Sequence, residues 1–167
     1  IKSLVSIILE CLERNEKVLV FSQFVKMLDI VQAEMDNLGI NYFTLTGKTS
    51  KEERHRMVKT FGTDAGHNVF FVSLKAGGTG LNLTSANHVV LVDPWWNKSV
   101  ENQAADRAHR IGQQKDVYVK RLITLDTIED RIMDIQARKT ALSKNLLSSE
   151  ITSLEFLDID ELKDLIR

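Results

Sequence analysis

A layered α/β fold built on a parallel sheet is the architecture that three features of this 167-residue sequence predict. Five short apolar runs recur along the chain, each four to seven residues long and without strict polar alternation. Such runs suit strands buried on both faces, which is the condition of a parallel sheet. Segments with helical spacing lie between them, as the crossovers of parallel strands require. There is no low-complexity stretch and no internal repeat, and the single proline, Pro94, stands just after a strand end.

In order, residues 3–12 (SLVSIILECL) read as a short helix and 17–21 (KVLVF) as the first strand. Apolar residues at 24, 25, 28, 31, 35 and 38 make 24–38 a helix, with Gly39 as its stop signal. Residues 42–45 form the second strand. Ser50 is placed to cap a helix reaching Phe61, with Glu53 three residues on as its capping-box partner. Residues 69–73 (VFFVS) and 88–92 (HVVLV) are the third and fourth strands, 98–111 a helix, and 117–123 (VYVKRLI) the fifth strand. From Thr127 to about Leu146 the chain reads as one long helix, followed by a charged, leucine-spaced tail. Strand alternation ends near Asp126, so the expected division is 1–125 for the sheet domain and 126–167 for a helical extension.

Composition narrows the function classes. The chain is 43% hydrophobic and 27% charged, with one cysteine, so neither a disulfide framework nor a cysteine-based metal cluster is expected. Cys11 sits among apolar residues and reads as a buried thiol. No apolar run approaches the length of a bilayer span, and no basic-then-apolar leader opens the sequence, which points to an intracellular protein without membrane partners. A net charge of −1 excludes a broadly basic, DNA-coating surface. Any contact with nucleic acid has to be a local stripe.

Ligands of open α/β sheets collect at the carboxyl ends of the strands. There the sequence places Ser22 and Gln23, then Thr46, Gly47 and Lys48, then Lys75 to Gly80, then Asp93 to Asn97. The loop Lys75-Ala76-Gly77-Gly78-Thr79-Gly80 has glycines that let a phosphate or sugar approach the backbone amides; a plain tight turn would look the same. Gly47-Lys48-Thr49 resembles the end of a phosphate-binding P-loop, but the glycine required five residues earlier is Tyr42. No other P-loop occurs, and no paired acidic motif for magnesium follows an apolar strand, so these residues do not make a complete nucleotide hydrolase. Arg107 and Arg110 are three apart on the expected 98–111 helix and would share a face, with Gln103 one turn earlier. Two guanidinium groups beside an amide suit a phosphate. A solvated face with Glu101 and Asp106 as ion-pair partners explains the spacing equally well. Trp95 and Trp96 could stack on bases or close the core, and His109 has no second ligand at metal-binding spacing.

Together these strings resemble the C-terminal RecA-like lobe of Swi/Snf-type ATPases, the helicase-like motors of chromatin remodelling and DNA repair. Residues 17–24 (KVLVFSQF) resemble the family's motif IV, 73–86 (SLKAGGTGLNLTSA) its motif V, and 101–115 (ENQAADRAHRIGQQK) its motif VI. The Asp-Arg-x-His-Arg-Ile-Gly-Gln string at 106–113 is among the most diagnostic of the family, and 127–142 resembles the helix that braces the two lobes.

The resemblance implies a RecA-like three-layer domain with a C-terminal helical extension, working as the second lobe of an ATP-driven double-stranded DNA translocase. ATP and Mg2+ would be held mainly by an N-terminal RecA-like lobe. Arg107 and Arg110 would act as arginine fingers, with Gln103, Gly78 and Gly80 lining the ATP cleft. Ser22, Gln23, Thr46, Gly47, Lys48, Lys75, Ala76, Thr79 and Asn97 would form the DNA track. Partners would be duplex DNA and the first lobe, with nucleosomes or repair intermediates as candidate substrates, and the setting nuclear in a eukaryote. No metal site is expected in this lobe. Two rival readings are a catalytically idle interaction lobe and a lobe of a related RNA helicase; the intact Gln103, Arg107 and Arg110 speak against the first, and the DRAHRIGQ string against the second.

Overall fold

The computed structural model describes residues 1–147 except 65, 78–80, 96, 97, 110–112 and 114, with the backbone alone described at 77, 98–100 and 139–147. The chain divides into two compact units, residues 1–122 and 123–167. In the first, α1 (Lys2–Glu13), β1 (Val18–Ser22), α2 (Val25–Asn37), β2 (Tyr42–Leu45), α3 (Lys51–Thr63), β3 (Val69–Ser73), α4 (Leu74–Gly77), β4 (His88–Leu91), α5 (Lys98–Ala105) and β5 (Tyr118–Arg121) follow one another. The second contains α6 (Ile128–Leu147). The leucine-spaced tail expected after residue 146 falls almost wholly outside the described residues.

The strands pair in the order β2-β3-β1-β4-β5, and every pair is parallel. Their side chains separate into two cores. Leu19, Phe21, Phe70, Val72, Val89 and Leu91 face Phe61 of α3, Leu74 and Ala76 of α4, and Ala104 of α5. Val18, Val20, Val69, Phe71 and Val90 face Leu4, Ile8 and Cys11 of α1 and Leu28, Val31 and Met35 of α2. This is the period-two alternation of a strand with both faces covered, giving three layers, helix on sheet on helix. Burial makes every side chain of β1, β3 and β4 inaccessible, which explains why their sequences show no polar alternation. β5 is the exception: it is exposed along its length and carries Lys120 and Arg121, charges that disfavour pairing with another chain's edge.

Local signals fall where the sequence puts them. Gly39 adopts φ +67° after α2, where its amide bonds the Asp36 carbonyl and Ile40 bonds that of Met35, the geometry that closes a helix. The Ser50 hydroxyl accepts from the Glu53 amide at 3.1 Å and so caps α3. Glu53 does not complete the capping box; its carboxylate lies 4.0 Å from Arg56 instead. α6 begins with Thr127 accepting from the Glu129 amide at 3.2 Å, while Glu129 and Asp130 reach back to the amides of Thr124 and Asp126. Burial pushes the Cys11 thiol above its ordinary value, consistent with an inert core residue.

At the amino end of the sheet, buried His88 places Nε2 2.7 Å from Glu16 Oε2, and Asn87 donates to Glu16 Oε1 at 3.0 Å. The His88 contact, assisted by Asn87, holds the Glu16 carboxyl below its ordinary 4.5 against the opposing effect of desolvation. A carboxyl lowered in the folded state binds fewer protons than in the unfolded chain. Its stabilising contribution is therefore present above 4.5 and is lost as pH falls through the lowered folded value. Glu16→Gln should lower stability at neutral pH and flatten the acid limb of a urea-denaturation series measured from about pH 7 to about pH 3. An acid limb as steep as that of the unaltered chain would remove Glu16 from the account.

Candidate functional site

The registers that set the sheet also set the site. Ser22 lies opposite Ser73, Leu45 opposite Val72, and Leu91 opposite both Phe21 and Arg121, so the segments leaving all five strands emerge at one level. The chain leaves β1 towards the α1/α2 face, whereas β3 and β4 send it towards the α3/α5 face. Diverging connections of this kind open a crevice beside the carboxyl end of β1.

Asp93 organises that crevice. Nearly buried, its carboxylate accepts from the Ser22 hydroxyl at 2.5 Å and from the Gln23 amide at 2.9 Å. Gln23 Nε2 then donates to the Pro94 carbonyl at 3.4 Å. Residues 70 and 71 positions apart are thus joined by charge-assisted hydrogen bonds that are strong away from water. The next tie runs between the glycine-rich segment and the arginine-bearing one. Leu83 N donates to Arg107 O at 3.0 Å, and Gln113 Nε2 donates to the carbonyls of Ala86 at 2.8 Å and Ala108 at 3.2 Å. From α3, Arg54 Nη1 reaches the Ala76 carbonyl at 3.3 Å. Glu101, fully buried, accepts from Trp95 N at 2.8 Å and from Arg121 Nε at 2.9 Å.

These ties change the reading of the arginines. A helix through residue 111 is expected from the sequence, but α5 closes at Ala105. A tighter turn comes next, with Arg107 N on Ala104 O and Ala108 N on Ala105 O. In a continuing α-helix these two amides would bond Gln103 O and Ala104 O; here each bonds one residue closer, and the carbonyls of Arg107 and Ala108 are engaged by Leu83 N and Gln113 Nε2. Arg107 therefore sits in a turn beyond the helix, the residue only 9% exposed, and its buried Nε has no hydrogen-bond partner among the described residues. Gln103 is exposed, so Gln103 and Arg107 do not form one solvent-facing strip. A buried guanidinium nitrogen left unpaired is costly, and an anionic acceptor would offset that cost.

Among the other candidates, Ser22 is fully buried and its hydroxyl is committed to Asp93 and to the Phe24 amide, so its side chain holds the loop in place. Gln23 is half-buried. Thr46 is half-buried in a turn where its hydroxyl accepts from Lys48 N and its own amide bonds the Thr49 hydroxyl, leaving Gly47 and Lys48 exposed. Lys75 is exposed in the four-residue α4, a helix that reading by loop composition alone misses, and Ala76 is buried against the core. Gly78, Thr79, Gly80, Asn97 and Arg110 lie outside the described residues. The polar groups that tie the site, Asp93, Glu101, Arg54 and Gln113, carry no spacing signal, because their partners are distant in sequence. Among the described residues no three His, Cys, Asp or Glu side chains gather in a way that could hold a metal ion.

Known proteins are similar to this chain in sequence and in fold. The model of the helicase conserved C-terminal domain matches residues 1–112. The DNA repair protein rad8 of Schizosaccharomyces pombe is 48% identical over 135 residues, covering 81% of this chain and 12% of that protein. The DNA repair protein RAD5B of Arabidopsis thaliana is 40% identical over 171 residues, covering 99% of this chain and 13% of that protein. This chain thus spans about an eighth of the length of these relatives. The C-terminal part of the Fun30 ATPase domain superposes with a TM-score of 0.72 at 40% identity, covering 75% of this chain and 40% of that one. The Sulfolobus solfataricus SWI2/SNF2 ATPase core, solved with dsDNA, gives 0.71 at 36% identity, covering 88% and 31%. With the parallel α/β sheet, the tied motif segments and these matches in agreement, the chain belongs to the helicase conserved C-terminal domain family, as a RecA-like lobe of the Swi2/Snf2 kind.

Proposed function

We propose that this chain is the second motor lobe of an ATP-dependent double-stranded DNA translocase acting in DNA repair or chromatin remodelling. The observation that carries the reading is Arg107: a nearly buried residue whose Nε has no partner among the described residues, fixed by its backbone to the segment that follows the glycine-rich loop at the carboxyl edge of the sheet. That is the state expected of a phosphate-binding cation whose phosphate is brought by another body. In this reading ATP and Mg2+ are held by a first lobe. Arg107 and Arg110 donate forked hydrogen bonds to the γ-phosphate and stabilise the charge that develops as the phosphoryl group departs. Gln103, Gly78 and Gly80 line the same cleft.

The DNA track runs over the same sheet edge. Exposed Lys48 and Lys75 meet backbone phosphates, and Gln23, Thr46, Gly47, Ala76, Thr79 and Asn97 contribute amides and short polar groups, with Ser22 acting through its bond to Asp93. A handful of phosphate contacts positions a duplex without reading its sequence, so a net charge of −1 is compatible with tracking. Closure on ATP and reopening after hydrolysis would advance the lobes along DNA. Duplex DNA and the first lobe are the immediate partners, with nucleosomes among the substrates reached through flanking domains. A nuclear location follows if the source is eukaryotic. Among the described residues no helix is long and apolar enough to cross a membrane.

The isolated 167-residue chain is expected to hydrolyse no ATP above the buffer blank, with or without duplex DNA, in a coupled phosphate-release assay; measurable turnover would sink the two-lobe assignment. In the complete protein, Arg110→Ala should lower kcat by about a thousandfold or more while ATP affinity by equilibrium binding stays within a few-fold. Near-normal turnover of that variant would remove Arg110 from the chemistry. The complete protein should also displace a triplex-forming strand from duplex DNA without separating the duplex; separation of RNA duplexes instead would favour the related RNA helicase reading.

A further inference from the structure

Glu101 has no solvent exposure, and a buried carboxylate persists only where donors compensate its lost hydration. Two of its donors come from elsewhere in the fold. Trp95 N, in the segment leaving β4, donates to Oε1 at 2.8 Å. Arg121 Nε, at the last position of β5, donates to Oε2 at 2.9 Å, and the Arg121 side chain is one-third exposed. The carboxylate therefore ties α5 to the ends of two adjacent parallel strands, β4 and β5. It occupies the first turn of a helix only eight residues long. A helix of that length has little stability of its own, so tertiary ties set its orientation. Arg107 comes six residues later, its own carbonyl held by Leu83 at 3.0 Å. The helix that leads to the guanidinium is thus anchored at its start by Glu101 and beyond its end by Leu83.

We propose that Glu101 is a positioning residue for the phosphate-binding arginines: through Trp95 N and Arg121 it fixes the direction of α5, and so the place at which the Arg107 guanidinium meets the nucleotide. The inference rests on the arginine-supplying role proposed above. It differs from the assignment of Glu101 as a surface ion-pair partner of the arginines, because its carboxylate turns inward to β5. It also differs from a purely stabilising role, since it acts on hydrolysis at unchanged folded fraction. Positioning errors of about an ångström cost up to about a hundredfold in rate, and ground-state affinity, supplied mainly by the first lobe, should change little.

The test uses the complete two-lobed protein with saturating duplex DNA, at a temperature where circular dichroism shows each variant folded. Glu101→Gln keeps the shape and an acceptor for Trp95 N but removes the charge facing Arg121; Arg121→Met removes the same bond from the other side. Each is expected to lower kcat about ten- to hundredfold with KM for ATP within twofold. The double variant should be no slower than the slower single, and Arg121→Lys should recover part of the loss. A folded Glu101→Gln protein with kcat within twofold of the unaltered one would overturn the proposal, as would losses that track the folded fraction or that simply multiply in the double variant. Should Glu101→Gln fail to fold, the Arg121→Met and Arg121→Lys pair decides by the same readout. Absence of DNA-stimulated hydrolysis in the unaltered protein would refute the motor reading itself; normal hydrolysis there with an unimpaired Glu101→Gln variant refutes only the positioning role.

Discussion

Parallel pairing is the constraint from which the remaining features descend. A parallel sheet needs both faces covered, and each strand must be succeeded by a connection that returns the chain to the starting edge. Covering both faces fixes the composition of β1, β3 and β4, whose side chains are all inaccessible. Returning the chain each time gathers the segments that leave the strands at one edge. Residues as distant as Ser22 and Asp93, or Ala86 and Gln113, meet there for topological reasons before any chemistry is asked of them.

Once polar groups are drawn to that edge and partly dehydrated, they have to be paired. Asp93 satisfies a hydroxyl and an amide from the β1 exit, and Glu101 an amide from the segment after β4 and a guanidinium from β5. Both carboxylates face inward, so these two negative charges at the sheet edge serve the protein's own donors. That arrangement suits an edge proposed to meet phosphates, because acidic groups turned outward would repel them. The chain's near-neutral balance and its proposed polyanionic partner are reconciled by where the charges point: Lys48 and Lys75 are exposed while Asp93 and Glu101 are buried.

Most of the fold is legible in the sequence because it depends on short-range patterns. Apolar runs locate every strand to within two residues at either end, Gly39 marks the end of α2, and Ser50 the start of α3. The features that escape are decided by long-range competition. α5 has a sequence that favours helix through residue 111, yet the chain tightens after Ala105 and its next carbonyls, those of Arg107 and Ala108, are engaged by Leu83 and Gln113. Glu101 reads as a solvated residue with nearby arginines as natural partners, but its partner Arg121 is twenty positions away on a strand. Ser22 stands at a strand end where ligand contacts collect, yet its hydroxyl is consumed by Asp93, 71 positions on. Strand-end position identifies the edge on which a residue lies; it does not tell whether the side chain faces a ligand or holds the edge together.

The position of Arg107 in a turn rather than a helix bears on how a half-site could drive motion. On a regular helix an exposed arginine would be hydrated, and meeting a phosphate would exchange water for ligand at small net gain. In the tightened turn its guanidinium is nearly buried and its Nε lacks a partner among the described residues, so the open state already carries part of the dehydration cost. A phosphate that arrives there gains more than it would in water, because the competing hydration has been removed beforehand. In the proposed two-lobed motor this would make closure depend on the nucleotide, since a ligand shifts a conformational equilibrium only by its differential affinity for the two states. On the proposed reading, loss of the γ-phosphate would leave Arg107 Nε again without a partner among the described residues and withdraw the gain, so the cost kept by the open lobe would also favour reopening of the closed one.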